Sequence, residues 1–292
     1  MSEPEAAAPE SRRTYRARST AEKDNPTPKA GRNLPAAIGV GVLLGGLVLA
    51  SILVYSWAFV ALVTIAALLG VLELDQALRA GRINPPLIPA LAAVGLVPVA
   101  YLWGAEALAI GFAAAVGLVL LWRSVGPAPG AARDVAGGVF LVAYVPLLCA
   151  ITSLMIAAPD GAGRIITFIL VTVASDTGGY AVGVLRGRTP MAPSLSPKKS
   201  WEGFAGSVLT SGITGALAVV FLLNGSWWAG AVIGAVAACF ATVGDLAESA
   251  IKRDLGIKDM GNLLPGHGGI MDRLDSLLIT VPICWALFEL LL

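Results

Sequence analysis

The residues best suited to chemistry lie in one stretch of the chain, residues 245–275. These 31 residues contain four of the chain's cations and its only histidine, His267. They also contain six carboxylates, which are Asp245, Glu248, Asp254, Asp259, Asp272 and Asp275. Carboxylate oxygens without a cluster of Cys or His are typical of Mg²⁺ sites, in which the ion keeps several waters and links protein carboxylates to substrate phosphates. The stretch therefore predicts a site for a phosphorylated substrate and a metal ion.

Helical spacing places the first of these groups on one face. We expect the apolar segment before Asp245 to stay helical through Arg253. On that helix Asp245, Glu248 and Lys252 lie at i, i+3 and i+7 and share a face. Ser249 lies beside them. The spacing thus predicts a mixed acidic and basic surface where the helix ends.

Asp272 and Asp275 repeat the i, i+3 spacing at the start of the last apolar segment. Two antiparallel helices would bring both pairs of carboxylates together at the membrane edge. The alternative is a set of salt bridges between the helices, with Glu248 pairing with Lys252 and Asp272 with Arg273 or Arg253. Spacing alone does not decide between a metal site and such an ion-pair network.

His267 lies in a Gly-His-Gly-Gly run between the two acidic helix ends. Glycine permits backbone conformations closed to other residues and lets amide N–H groups approach an anion. We therefore expect His267, Gly268 and Gly269 to contact a ligand; the alternative is a hydrogen bond that only stabilises the loop. The sequence has no Walker A, GxGxxG, GxSxG or HExxH pattern, which argues against common soluble nucleotide and hydrolase sites.

Asp176 lies inside an apolar segment, in the run A-S-D-T-G-G-Y. A lone carboxylate near mid-bilayer costs about 2.5–3.5 kcal/mol on insertion scales, so it needs a cation, a metal or a water-filled cavity. The alternative is a polar residue that joins two helices. The small residues that follow Asp176 favour close helix packing on either interpretation.

The run S-L-S-P-K-K-S-W-E-G, residues 194–203, lies in a loop between apolar segments. Lys198 and Lys199 stand beside Ser196 and Ser200, and ammonium groups bind phosphate as point charges. The loop is therefore expected to hold a substrate phosphate. The alternative is a basic membrane anchor with an interfacial tryptophan, Trp201.

Composition identifies the class of protein that must position these groups. Of the 292 residues, 57% are hydrophobic and 13% are charged, whereas about 25% charged residues is usual in a soluble domain. The sequence therefore predicts an all-α polytopic membrane protein. Cys149, Cys239 and Cys284 lie inside apolar runs and are expected to be packing residues, neither disulfides nor metal ligands.

Apolar segments of about 20 residues, the length needed to cross a hydrocarbon core, predict about nine transmembrane helices. The uncharged runs 33–72 and 203–244 each give two spans, broken near Tyr55 and near Trp227. The remaining spans are 83–105, 107–122, 135–159, 165–185 and 275–292.

The distribution of basic residues predicts how these spans are oriented. With nine alternating spans, nineteen of the twenty Lys and Arg residues fall on one side, and only Arg164 falls on the other. By the positive-inside rule the N-terminus lies in the cytoplasm and the C-terminus outside. The site then faces the cytoplasm, at the plasma membrane.

The same pattern divides the chain into three parts. Residues 1–33 are polar, lack apolar periodicity and are expected to be a disordered cytoplasmic tail. Residues 34–160 form the first five spans. Residues 161–292 form the catalytic region, with cytoplasmic loops 186–202 and 251–274.

Residues 249–275 resemble the signature of the bacterial-type phosphatidate cytidylyltransferases, also called CDP-diglyceride synthases. The runs S-D-T-G-G-Y and S-P-K-K-S-W-E-G are also similar to segments of that family, which often has Thr where this chain has Ser200. The first five spans resemble the family only in hydropathy. The positions that match the signature are Ser249, Lys252, Arg253, Lys258, Asp259, His267, Gly268, Gly269, Asp272, Arg273 and Asp275.

The resemblance implies transfer of a cytidylyl group from CTP to phosphatidate, giving CDP-diacylglycerol and pyrophosphate, with Mg²⁺ as cofactor and a second cation as an open alternative. The expected partners are CTP, phosphatidate and the lipid bilayer, with no nucleic acid. The resemblance also suggests a homodimer. The competing functions are an ion-coupled secondary transporter that uses Asp176 and Asp245, and a CTP-dependent lipid kinase.

On this interpretation Asp245 and Asp272 are the principal metal ligands, supported by Glu248, Asp275 and Asp176. The expected catalytic residues are Asp245, Asp272, Lys252, Arg253 and His267. The remaining expected substrate contacts are Ser196, Lys198, Lys199, Ser200, Ser249, Lys258, Asp259, Gly268, Gly269 and Arg273.

Overall fold

The computed structural model describes residues 34–261 and 268–292. The expectations for the tail, residues 1–33, and for His267 fall outside the described residues. The described chain is a bundle of α-helices, as composition predicts. Its helices are α1 (Leu34–Val54), α2 (Ser56–Ala80), α3 (Leu87–Ala93), α4 (Leu96–Ser124), α5 (Ala131–Val142), a π-helical turn (Ala143–Leu147), α6 (Leu148–Ala157), α7 (Gly161–Arg186), α8 (Trp201–Leu223), α9 (Trp227–Asp254) and α10 (Met271–Leu291).

By length and composition, seven helices of the described chain are apolar enough to cross a membrane. They are α2, α4, the continuous unit Ala131–Ala157, α7, α8, α9 and α10, and α1 adds the shorter apolar segment Gly41–Val54. The predicted breaks near Tyr55 and before Trp227 are present between helices. A total of nine spans stays a prediction.

The predicted break between the third and fourth spans lies inside α4. Gly104 has φ 76° and ψ −165°, which is not a helical conformation. A Cβ atom on Gly111 would lie 2.7 Å from Cδ2 of Leu96. Residues on the two sides of Gly104 therefore lie against each other, and the chain reverses at this glycine, which lacks the Cβ that disfavours this conformation in other residues.

Three of the loops that carry basic residues lie together at one end of the bundle. The backbone N–H of Asn84 and the guanidinium of Arg123 both donate to Asp134, at 2.9 and 3.1 Å. Gly81 packs directly against the side chain of Leu255, which follows α9. The structure thus joins the Arg79, Arg123 and Lys252 loops, which the sequence placed on one side.

The opposite end of the bundle holds Arg164, the one cation predicted to lie apart from the others. Its guanidinium pairs with Asp160 at 2.8 Å and with Glu289 of α10. It also lies over the ring of Phe288, 6.0 Å from the centroid. These contacts tie the start of α7 to the end of α10.

The predicted loop 186–202 contains a short antiparallel hairpin that the sequence did not predict. Its strands are β1 (Pro190–Ala192) and β2 (Ser196–Ser200). Glu202 in the first turn of α8 accepts hydrogen bonds from the backbone N–H groups of Arg188 and Thr189, both at 3.1 Å. The Thr189 hydroxyl adds a third bond at 2.8 Å. Glu202 therefore holds the base of the hairpin against α8.

Helices α7 and α8 pack closely through small residues, as the sequence around Asp176 predicts. Gly178 lies against the side chain of Thr210, and Gly179 against that of Ser207. The hydroxyl of Ser207 donates to the carbonyl of Ser175 at 2.7 Å. This contact fixes the α7 backbone immediately before Asp176.

Helices α9 and α10 cross just as closely. A Cβ atom on Gly244 would lie 3.2 Å from Cα of Ser276. Asp245 and Asp275 are the neighbours of these two residues in the chain. The crossing therefore brings the carboxylates of the two helices to the same end of the bundle, as the spacing predicted.

Candidate active site

The charged end of the bundle encloses a cavity of about 580 Å³. It is lined by α7, the hairpin, α8, α9 and α10, so segments far apart in sequence meet there. Eleven residues expected at the site from the sequence line this cavity: Asp176, Lys198, Lys199, Ser200, Asp245, Ser249, Lys252, Asp259, Asp272, Arg273 and Asp275.

An adjoining cavity of about 310 Å³ is basic. It shares Lys198, Ser249 and Lys252 with the larger cavity. The other expected residues that line it are Ser196, Arg253 and Lys258. Four cations without a lining carboxylate suit a polyphosphate, whereas the larger cavity combines cations with carboxylates.

Asp176 lines the larger cavity. Its charged neighbours are Asp245, Asp275 and Lys199. These come from three other elements, α9, α10 and the hairpin. The intramembrane carboxylate therefore has the polar cavity and the cation that the insertion penalty demands.

The hairpin brings Lys199 into the cavity. Its ammonium lies 2.5 Å from Oδ2 of Asp245. The next residue, Ser200, caps α8 by accepting a hydrogen bond from the backbone N–H of Gly203 at 3.1 Å. Because the hairpin is held by this cap and by Glu202, Lys199 is presented from a rigid base.

Lys252 joins the two acidic helix ends. Its ammonium lies 3.0 Å from Oδ1 of Asp272 and 3.4 Å from Oε1 of Glu248. The side chain of Glu248 is 1% exposed. The interhelical salt bridges weighed as an alternative are therefore present in part, with Lys252 as the cation. Glu248 lines neither cavity and acts from behind Lys252.

Asp272 holds the loop between α9 and α10. Its carboxylate accepts from the backbone N–H of Gly269 at 2.8 Å and from that of Met260 at 3.1 Å. Gly268 contacts the same carboxylate, since a Cβ on it would lie 3.0 Å from Oδ2. Gly268 and Gly269 thus meet Asp272 and line neither cavity.

The donor chemistry of the cavity fits Mg²⁺. In the described chain, no group of three or more His, Cys, Asp or Glu side chains converges on a metal-sized point. Mg²⁺ needs no such cage, since it keeps several waters and is bound by one or two carboxylates plus substrate phosphates. Asp245 and Asp272 both line the cavity. A carboxylate has about four acceptor positions, so Asp272 keeps capacity beyond its three present donors.

Helices outside the predicted catalytic region also contribute to the site, which the sequence did not predict. Tyr144, in the π-helical turn, is buried, and its charged neighbours are Glu248, Asp275 and Asp245. Glu73 of α2 is buried and accepts a hydrogen bond from the backbone N–H of Met271 at 2.9 Å.

The sequence does contain a signal for Glu73, because this carboxylate lies at the end of an apolar segment, in the run V-L-E-L-D. Helix α2 continues past the predicted end of the span at residue 72, so Glu73 lies on the same helix as the apolar run and needs a partner where it is buried. No such signal marks Tyr144. Cys149, Cys239 and Cys284 are free, as predicted.

Comparison with known proteins gives a consistent match. A family model described as "Cytidylyltransferase family" matches residues 35–291. A Mycobacterium leprae protein named phosphatidate cytidylyltransferase is 42% identical over 286 residues, which cover 91% of this chain and 90% of that protein. A protein of the same name from Mycobacterium tuberculosis H37Rv is 41% identical, covering 91% of this chain and 85% of its own. The chloroplastic phosphatidate cytidylyltransferase 5 of Arabidopsis thaliana is 32% identical, covering 87% and 70%.

Proposed function

This chain belongs to the cytidylyltransferase family, and we propose that it transfers the cytidylyl group of CTP to phosphatidate. A phosphate oxygen of phosphatidate attacks the α-phosphorus of CTP and forms a new phosphoanhydride bond. The bond from the α-phosphorus to the oxygen that bridges to the β-phosphorus breaks, and pyrophosphate leaves. The products are CDP-diacylglycerol and pyrophosphate.

One observation carries the proposal: three separate segments that match the family in sequence line one cavity. Asp176 comes from α7, Lys199 from the hairpin and Asp272 from α10, and Asp245 of α9 lines the same cavity. An anionic lipid headgroup and a nucleoside triphosphate both need cations, while a bound divalent ion needs carboxylates. The cavity supplies both kinds of group within about 580 Å³.

The two cavities suggest where each substrate lies. The basic cavity, with Lys198, Arg253 and Lys258, suits the β- and γ-phosphates of CTP, and its cations would stabilise the departing pyrophosphate. The lipid phosphate would enter the larger cavity past Tyr180, which lines it and is 75% exposed. Lys252 and Lys198 line both cavities and would contact the phosphates between which the bond breaks.

The attacking phosphate is already ionised near neutral pH, so the protein's main task is to align it with the α-phosphorus. Asp245 and Asp272 would hold Mg²⁺, with Asp176 and Asp275 beside them. The ion, when bound, neutralises phosphate charge and polarises the phosphoryl oxygen. Lys199 holds the Asp245 carboxylate in the cavity until substrate phosphates compete for the ammonium.

We place the site at the cytoplasmic face of the plasma membrane, with the N-terminus inside, the C-terminus outside and nine spans. The positive-inside rule supports this orientation, as does the clustering of the Arg79, Arg123 and Lys252 loops at one end of the bundle. A homodimer and a second cation in the site are further proposals, and both rest on the family resemblance.

A direct assay tests the activity. Purified protein in detergent is incubated with phosphatidate, Mg²⁺ and CTP labelled in the cytidine ring. We expect label in the lipid phase and one pyrophosphate released for each cytidine incorporated. Release of CDP with no cytidine in the lipid would instead identify a CTP-dependent kinase. Folded protein that gives neither product would refute the proposal.

A further inference from the structure

Glu73 lies where the N-terminal helices meet the loop that joins α9 to α10. It belongs to α2 and is 7% exposed. Its Oε2 atom accepts a hydrogen bond from the backbone N–H of Met271, the first residue of α10, at 2.9 Å. A carboxylate at this position satisfies one of the free N–H groups of the helix and interacts favourably with its N-terminal dipole.

Two glycines leave the space that the Glu73 carboxylate fills. A Cβ atom on Gly269 would lie 2.5 Å from Oε2 of Glu73 and 2.8 Å from the backbone nitrogen of Gly261. A Cβ atom on Gly261 would overlap Oε1 and the carboxyl carbon of Glu73. The Glu73 carboxylate thus lies between Gly261 and Gly269, at a point where the backbones of these two loop segments also approach each other.

The same loop segment is bound from its other side by Asp272. Gly269 donates its N–H to Asp272, and so does Met260, the residue before Gly261. Lys252 then pairs with Asp272 at 3.0 Å. A continuous chain of contacts therefore runs from Glu73 through the backbone at Met271 and Gly269 to Asp272 and Lys252, which line the cavity.

We propose that Glu73 is a positioning residue. It holds Gly261, Gly269 and the first turn of α10 in place. These backbone segments in turn fix the positions of Asp272 and Lys252 in the active site. This inference rests on the proposed cytidylyl transfer. Glu73 touches no part of either cavity, so it acts through the loop backbone and not through the substrates. The N-terminal helices are in this way part of the catalytic apparatus.

The chain offers a matched control two residues away. Asp75 is also a buried carboxylate of α2, but it pairs with Arg79 at 2.7 Å. Replacing Asp75 removes a buried charge from the same helix without touching the α9–α10 loop. If α2 needs these charges only for its stability, substitutions at Glu73 and at Asp75 should affect activity to a similar extent.

Activity and thermal unfolding are measured for Glu73→Ala and Asp75→Ala, because glutamine at position 73 would keep an acceptor for the N–H of Met271. We expect Glu73→Ala to lower kcat about tenfold or more while KM for CTP changes less than about threefold, because alignment is lost and uniform binding is kept. Asp75→Ala should keep kcat within about twofold, even if its unfolding temperature falls as far as that of Glu73→Ala. Equal kcat values for the two variants would overturn the inference.

A second pair of variants tests the contact itself. Gly261→Ala should lower kcat, because its methyl group displaces the Glu73 carboxylate. Adding Gly261→Ala to Glu73→Ala should then cost less than it costs in the wild type, since the obstructing side chain is gone. If the losses of kcat caused by the two substitutions are strictly additive, the proposed contact between Glu73 and Gly261 is contradicted.

Limited trypsin digestion separates this inference from the activity. Lys258 is exposed in the loop. Loss of the Glu73 side chain should raise the rate of cleavage after Lys258 in Glu73→Ala, whereas the rate should stay unchanged in Asp75→Ala. Faster cleavage in a chain that transfers no cytidylyl group would uphold the positioning role and refute the proposed function. Unchanged cleavage together with unchanged kcat would refute the positioning role.

Discussion

The two halves of the bundle use paired carboxylates in different ways. In the N-terminal half, Asp75 and Asp134 pair with Arg79 and Arg123. In the C-terminal half, Asp245 and Asp272 pair with Lys199 and Lys252. All four pairs lie toward the charged end of the bundle, but of these only the lysine pairs line the two cavities of the candidate site.

The choice of cation explains this difference. Each arginine also donates to backbone carbonyls, Arg79 to Pro85 at 3.1 Å and Arg123 to Pro127 at 2.6 Å, which fixes the loops in place. An ammonium group is a compact point charge with rotatable donors, so it can turn from a carboxylate to a phosphate. Arginine pairs thus hold loops, and lysine pairs bind what enters the cavity.

The largest effect is expected from Asp245→Asn. This isosteric change removes the charge that Lys199 and a bound cation would share, and we expect kcat to fall about a thousandfold. The pair is partly exposed, so its loss should change stability by less than about 1 kcal/mol. Initial rates of cytidylyl transfer and thermal unfolding of the same preparation measure both quantities. Retained activity would remove Asp245 from the proposed metal site.

A combined effect on activity and stability is expected from Lys252→Met. The side chain of Glu248 is 1% exposed, and removing Lys252 should cost about 2 kcal/mol, because a buried carboxyl group then loses its partner. The loss of a phosphate-binding cation should also lower kcat about a hundredfold. Denaturation and kinetic measurements on Lys252→Met with and without Glu248→Gln separate the two roles. The double variant should recover stability but not activity, and recovery of both would show that Lys252 is only structural.

A smaller effect is expected from Lys199→Arg. The charge is kept, but a guanidinium holds Asp245 in a fixed fork and turns less readily to a phosphate. We expect a fall of about tenfold in kcat with normal folding. Wild-type kcat in this variant would contradict the distinction between lysine and arginine pairs.

The smallest effect on activity is expected from Asp134→Asn in the N-terminal half. It weakens the Arg123 contact while keeping an acceptor for the N–H of Asn84. The free energy of unfolding should fall by about 2 kcal/mol, and kcat should stay within about twofold. A loss of kcat comparable with that of Asp245→Asn would erase the functional contrast between the halves.

Helical spacing was enough to predict the acidic face of α9 and the paired carboxylates of α10, because an i, i+3 or i+4 relation depends only on local geometry. The polar surroundings of Asp176 could be predicted for a similar reason. The free-energy cost of inserting a carboxylate into the bilayer depends on that residue alone, so a partner had to be present. The boundary predicted between the spans 83–105 and 107–122 falls close to the reversal at Gly104, although the total number of spans stays a prediction.

Contacts between distant segments could not be predicted in this way. The pair of Glu248 with Lys252 follows from i, i+4 spacing, but Asp272 pairs with Lys252 of the other helix, where the sequence offered Arg273 or Arg253. The hairpin depends on Glu202, which reads as an ordinary first-turn acid. Glu73 meets Met271 across 198 positions of the chain, which no periodicity reports. The resemblance to the family covered the C-terminal half in detail, so it gave no reason to examine α2.

The most direct test of the central claim follows the phosphorus atoms of CTP. Wild-type protein and Asp245→Asn are each incubated with phosphatidate and CTP labelled at the α- or the γ-phosphorus. Transfer in the proposed cavity predicts α-label in the lipid and γ-label in pyrophosphate for the wild type, with both lost in Asp245→Asn. Label from the γ-phosphorus in the lipid, or full α-transfer by Asp245→Asn, would contradict it.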